Sequence, residues 1–80
     1  MADEPTIDKD VNFEGLKCPL PVLKTRKAIK DVPVGGRLRI RVTDPMAELD
    51  LKHFCRESGH DMESVDTEGT VQIFVLRRGV

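Results

Sequence analysis

Eighty residues with a formal net charge of −1, 34% of them charged and 39% hydrophobic, suit one small domain with little room for an enclosed substrate cavity. A chain of this size buries only about 60% of the surface it exposes when unfolded. No run approaches the roughly 18 consecutive apolar residues of a membrane span, and the acidic opening Met1-Ala2-Asp3-Glu4-Pro5 does not read as a secretory signal.

In chain order, residues 1–5 read as a disordered tail ahead of a single domain over residues 6–80. Ile7 to Phe13 reads as a first strand, with Ile7, Val11 and Phe13 on one side. Pro19 to Lys30 reads as a helix: at 100° per residue Val22, Thr25 and Ile29 share the core face, while Leu20, Lys24 and Lys27 face solvent. Pro33-Val34-Gly35-Gly36 is a turn. Arg37 to Val42 alternates strictly, so Leu38, Ile40 and Val42 point inward and three arginines point to an open sheet face.

Asp44 before Pro45 reads as an N-cap followed by a proline at the first helical position. The second helix then runs to Ser58, buries Ala47, Leu51 and Phe54, and ends on Gly59 as a left-handed cap, leaving Met46 and Leu49 exposed. His60 to Asp66 is a weaker strand, Glu68-Gly69 a turn, and Val71 to Arg77 the last strand. The expected fold is α/β in the α+β sense: a two-layer βαβαββ sandwich whose four-stranded mixed sheet carries both helices on one face, with a right-handed first crossover.

Chemistry concentrates at Gly15-Leu16-Lys17-Cys18-Pro19-Leu20-Pro21. A cysteine at a helix entrance lies beside unpaired backbone N–H groups and the positive end of the helix dipole, which favour its thiolate. With Pro19 at the first helical position, Pro21 stiffening the turn, and Lys17, Lys24 and Lys27 nearby, Cys18 reads as a rigidly placed nucleophile of modestly lowered pKa. Cys55, in the middle of the second helix beside Phe54, reads as inert packing.

Basic residues crowd between Lys17 and Arg41 and acidic ones between Asp44 and Glu68, so one flank is expected positive and the other negative. His53 and His60 lack the paired short spacing of zinc ligands, and neither a metal nor a cofactor is expected. Arg37, Arg39 and Arg41 could meet nucleic acid on the open sheet, but Phe13, Phe54 and Phe74 are the chain's whole aromatic complement. Two of those are expected in the core, so stacking recognition is disfavoured and the arginines read as a solvated face.

The ordered set Gly15-Leu16, Cys18-Pro19-Leu20-Pro21, Arg26-Lys27-Ala28, Asp44-Pro45, Phe54-Cys55 and Gly59-His60 resembles the TusA/SirA family of small sulfur-carrier proteins over about Ile7 to Arg78. Asn12, where many members carry aspartate, and Glu14, where a basic or small residue is usual, depart from the pattern just before the cysteine. The resemblance implies a two-layer fold and a carrier with sulfurtransferase-like activity through a Cys18 persulfide. Gly15, Leu16, Pro19 and Pro21 would form the supporting turn, with Lys17, Leu20, Lys24 and Lys27 docking the partner.

The donor implied is a cysteine desulfurase or rhodanese-like protein and the acceptor another protein, in tRNA thiolation, molybdenum-cofactor assembly or sulfur oxidation. The free carrier is expected to be monomeric. Its cysteines without export features fit a reducing compartment, the cytoplasm. The competing class is an RNA- or protein-binding regulatory module without sulfur chemistry, since the fold also resembles the C-terminal domain of translation initiation factor 3. A weaker third option is a dithiol redox protein using Cys18 and Cys55.

Overall fold

The computed structural model describes residues 6–80, so the tail expected at residues 1–5 lies outside the described residues. The elements follow the order β1 (Lys9–Asn12), α1 (Leu20–Ala28), a single 3-10 turn (Ile29–Asp31), β2 (Arg37–Val42), α2 (Ala47–Ser58), β3 (Asp61–Glu68) and β4 (Val71–Arg77). The sheet order is β1-β2-β4-β3, with β1 parallel to β2 and the other pairs antiparallel. This is the expected βαβαββ mixed sheet, and both helices cover one of its faces.

The strict alternation of β2 sets the core. Leu38, Ile40 and Val42 are fully buried, opposite Leu76 and Phe74 of β4, and the helices cover them with Ile29, Ala47, Leu51 and Phe54. Each such side chain contributes on the order of 1.5–3 kcal/mol on burial. Pro21, Thr25 and Ala28 are the buried positions of α1, with Val22 packed against the core's edge.

On the other face two arginines of β2 meet acids from β1 and β3. Arg37 pairs with Glu63, and Arg39 pairs with Asp10. On the helix side Lys9 reaches Asp31 at 2.7 Å. The separation of charge along the chain is therefore partly undone in space, because β1 pairs directly with basic β2 and Glu63 of β3 reaches Arg37 across the intervening β4.

Several boundaries differ from the sequence reading. β1 begins at Lys9 after a bend at Asp8, whose carboxylate accepts the Arg37 backbone N–H at 2.8 Å. The bend takes Ile7 off the side of Val11 and Phe13 and sets it over the open face, beside Arg39, Arg41, Ile73 and Val75. β3 runs on to Glu68, so the hairpin turn is Gly69-Thr70, where Gly69 at φ 62° supplies the left-handed corner that tight hairpins need. An irregularity between Met62 and Ser64 lets Met62 and Val65, three residues apart, both pack on the core, which is why β3 shows no clean alternation. α2 starts at Ala47 rather than Pro45 and ends at Gly59, φ 81°, as expected.

Candidate functional site

The site is assembled where the loop after β1 meets the starts of both helices. Gly15, at φ 85°, turns the chain as few other residues could, and its N–H donates to the Thr43 hydroxyl at 2.9 Å. Leu16 is half-buried, its N–H donating to the Phe13 carbonyl at 3.2 Å. Together with Lys17 these residues line a depression shared with Thr43, Asp44 and Pro45. The Leu20 N–H then closes a turn onto the Lys17 carbonyl at 2.8 Å.

The helix begins one residue later than its sequence suggests. Pro19 is the N-cap of α1, and Pro21, not Pro19, lies within its first turn. Cys18 precedes the cap and is joined to Pro19 by a cis peptide bond. Pro21 is fully buried, so its ring packs the core as well as stiffening the turn.

Both cysteines are free thiols, Cys18 exposed and Cys55 buried. The Cys18 backbone N–H donates to Asp44 Oδ2, while Asp44 Oδ1 accepts the Met46 N–H at 3.0 Å. Asp44 thus ties the cysteine loop to the start of α2 and is not the N-cap of that helix, a position held by Met46. Those two backbone donors, with Lys17 nearby, hold the Asp44 carboxyl below the usual range.

The thiol itself donates to Asp50 Oδ2 at 2.9 Å across 32 residues of chain. That bond, followed by desolvation and the negative charges of Asp50 and Asp44, raises the Cys18 pKa. The expectation of a modestly lowered pKa is corrected. Cys18 lies outside the helix rather than at its cap, and carboxylates rather than lysines stand beside the sulfur. The influence of Lys17 falls on Asp44. A thiol held this way is a quiet nucleophile, reactive once its proton is taken.

Cys18 opens into a groove of about 470 Å³ between the helices. Pro19, Val22 and Arg26 form its α1 wall. Leu49, Asp50, His53, Phe54 and Glu57 form its α2 wall, a single stripe at i, i+1, i+4, i+5 and i+8. Arg26 lies over the Phe54 ring, 5.2 Å from its centroid. The exposed apolar residues Leu20, Leu23, Met46 and Leu49 sit in or beside the first turns of the two helices, at the Cys18 end of the layer.

The docking residues read from sequence, Lys17, Leu20, Lys24 and Lys27, are all exposed. Lys24 and Lys27, however, border a separate depression with Lys9, Val11 and Asp31 on the β1 flank of α1. Sequence reasoning did not find Asp50, His53, Glu57 or the groove role of Arg26. The stripe from Leu49 to Glu57 was visible in the spacing, but nothing local said that it borders Cys18.

Cys55 is buried, and burial pushes its thiol up to about 11. His60 accepts the Gly79 N–H at 3.0 Å and lies against Phe54, with ring centroids 5.6 Å apart. Among the described residues no three His, Cys, Asp or Glu side chains are grouped as metal ligands.

The family model described as sulfurtransferase TusA matches residues 9–78. The sulfur carrier protein TusA of Pseudomonas syringae pv. syringae (strain B728a) is 32% identical over 73 residues, covering 91% of this chain and 87% of that protein. Two Bacillus subtilis (strain 168) proteins that carry provisional names as sulfur carriers also match. YrkI is 33% identical over 72 residues, 90% of this chain and 96% of its own length. YrkF is 36% identical over 69 residues, 86% of this chain, but the match spans only 37% of YrkF. In fold, a crystal structure of a SirA-like protein from Desulfitobacterium hafniense superposes with a TM-score of 0.77 at 20% identity, over 90% of this chain and 99% of the other.

Proposed function

This chain belongs to the TusA sulfurtransferase family, and from that premise we propose that it is a sulfur carrier with Cys18 as the carrying residue. Cys18 accepts a sulfane sulfur as a persulfide from a donor such as a cysteine desulfurase or a rhodanese-like protein. It then presents the terminal sulfur to a cysteine of an acceptor protein. The observation that carries this reading is the exposed Cys18 thiol at the open end of a groove, on a domain whose other cysteine is buried.

Transfer between two proteins requires the reacting sulfurs to approach within about 3–3.5 Å. The partner's cysteine loop must therefore lie over the first turns of α1 and α2. The apolar residues there, Leu20, Leu23, Met46 and Leu49, are the surface it would cover. Gly15, Leu16, Pro19 and Pro21 support the cysteine from below. Lys17, Lys24 and Lys27 contribute charge that steers an acidic partner rather than contact with the sulfur.

No described helix is long and apolar enough to cross a membrane, and a cytoplasmic, monomeric carrier serving tRNA thiolation, cofactor assembly or sulfur oxidation fits this reading. A nucleic-acid module gains no support from the open sheet face. Arg37 and Arg39 are engaged by Glu63 and Asp10, and Phe54 and Phe74 are buried. The dithiol alternative suffers from the burial of Cys55.

The test is mass spectrometry after incubation with a cysteine desulfurase and cysteine. The chain is expected to gain one sulfur atom on Cys18, the Cys55→Ala variant to keep that gain, and the Cys18→Ser variant to lose it. A gain that survives Cys18→Ser refutes the assignment.

A further inference from the structure

The Cys18 thiol is hydrogen-bonded to a charged side chain, Asp50, that comes from α2 rather than from the cysteine's own loop. Other ionisable groups surround it: Lys17 and Asp44 in the adjoining loops, Arg26 on α1, and His53 and Glu57 on α2. Of these, Asp44 engages the Cys18 backbone N–H, leaving Asp50 as the carboxylate bonded to the thiol. His53 faces Glu57 at 3.4 Å, and Arg26 lies over Phe54.

We propose that Asp50 is the proton acceptor of the sulfur chemistry: it holds the unloaded Cys18 thiol protonated at the head of the groove and receives that proton as the second sulfur arrives. The inference rests on the carrier reading above. In loading, the Cys18 S–H proton passes to Asp50 while Sγ attacks the terminal sulfur of the donor persulfide. The Sγ–S bond forms and the donor's S–S bond breaks. The donor sulfur leaves as a thiolate and takes the proton back from Asp50. The balance is Cys18–SH + R–S–SH giving Cys18–S–SH + R–SH, with no external oxidant or reductant.

Geometry also separates the two states of the carrier. In the loaded form Sγ no longer bears a proton, so its hydrogen bond to Asp50 is lost. The terminal sulfur sits roughly 2 Å further out. A persulfide is more acidic than a thiol, so the terminal S–H releases its proton to solvent near neutral pH, and the Asp50 and Asp44 carboxylates repel the resulting anion away from the cysteine loop. The same residue that quiets the empty carrier thereby turns the loaded sulfur outward, toward an acceptor.

Asp50→Asn in the full chain separates this role from a structural one. Asp50 is half-buried in the first turns of α2, and Asp50→Ser serves as a second variant should the first lose its circular-dichroism melt. Rates of Cys18 alkylation by iodoacetamide are followed against pH, site by site, by peptide mass spectrometry. Loading by glutathione persulfide is followed on the same samples.

The expected result is opposite movement. The alkylation midpoint shifts to lower pH and the neutral-pH rate rises several-fold, while loading at neutral pH falls several-fold, and Asp50→Glu recovers part of both. Coincident alkylation profiles, a midpoint shifted upward, or alkylation and loading changing in the same direction would each overturn the role of Asp50. Wild-type protein that takes no sulfur at Cys18 would instead overturn the carrier reading, leaving the thiol–carboxylate coupling to be judged from the alkylation profiles.

Discussion

Iodoacetamide should distinguish the two cysteines of the native chain by access rather than by acidity. Cys55 can react by two routes. In the folded state its thiol, at about 11, is roughly one part in a thousand thiolate near pH 8, and the residue is 4% exposed. By global opening, an unfolding free energy of about 5 kcal/mol, at the low end for a small domain, holds its rate some three to four orders of magnitude below that of a free thiol. Cys18 needs no opening. Its bond to Asp50 slows it relative to a free cysteine, but that is a protonation effect alone. Site-resolved labelling of native protein should therefore find Cys18 ahead of Cys55 by at least about a hundredfold, whereas in concentrated urea the two should converge to within a few-fold. Labelling of Cys55 first, or comparable native rates, would refute both the burial argument and the choice of Cys18.

Thr25 is fully buried and its hydroxyl has no hydrogen-bond partner among the described residues. Thr25→Val, of similar shape, should therefore stabilise the domain by about 1 kcal/mol and raise the Tm by roughly 4–8 °C; a lower Tm would mean that the hydroxyl is satisfied. Reversing charge at Lys24 and Lys27, which flank α1 away from the groove, should slow sulfur transfer at low salt through association alone, with the difference fading as salt rises; equal rates at all ionic strengths would remove the lysines from docking. His60 has a lowered pKa, from burial first and Arg78 second. The unfolded chain therefore takes up that proton at higher pH than the folded one, and stability should fall as pH drops below about 6.5 toward the folded value. Urea midpoints measured between neutral and mildly acidic pH should show this slope, and His60→Gln should flatten it. The depressed carboxyls of Asp31 and Asp44 act in a lower window, losing their contribution as pH falls below the ordinary carboxylate range of about 4.

Much of the architecture was readable because it is written in short-range patterns. The alternation from Arg37 to Val42 placed β2 and its buried residues without error. Gly59 ended α2 where a left-handed cap was expected, and the element order followed from counting strands and helices. Cys18 stood out because two prolines and a glycine frame it, a local composition with its own physical meaning. What the sequence left open depends on contacts between distant segments. A bend at Asp8 moved Ile7 to the other face, and the irregularity near Glu63 blurred the pattern of β3.

The thiol's environment is the clearest case. The helix entrance and the adjacent lysines suggested a lowered pKa, because local structure and neighbours in sequence are all a linear reading can weigh. The packing of α2 against the start of α1 instead brings Asp50 within a hydrogen bond of the sulfur from 32 residues away. Periodicity and turn chemistry act over a few residues, so the chain alone marks out its elements and its candidate nucleophile. The charge beside that nucleophile is decided only when two helices settle on one sheet, because which stripe of α2 borders the cysteine is a property of their packing.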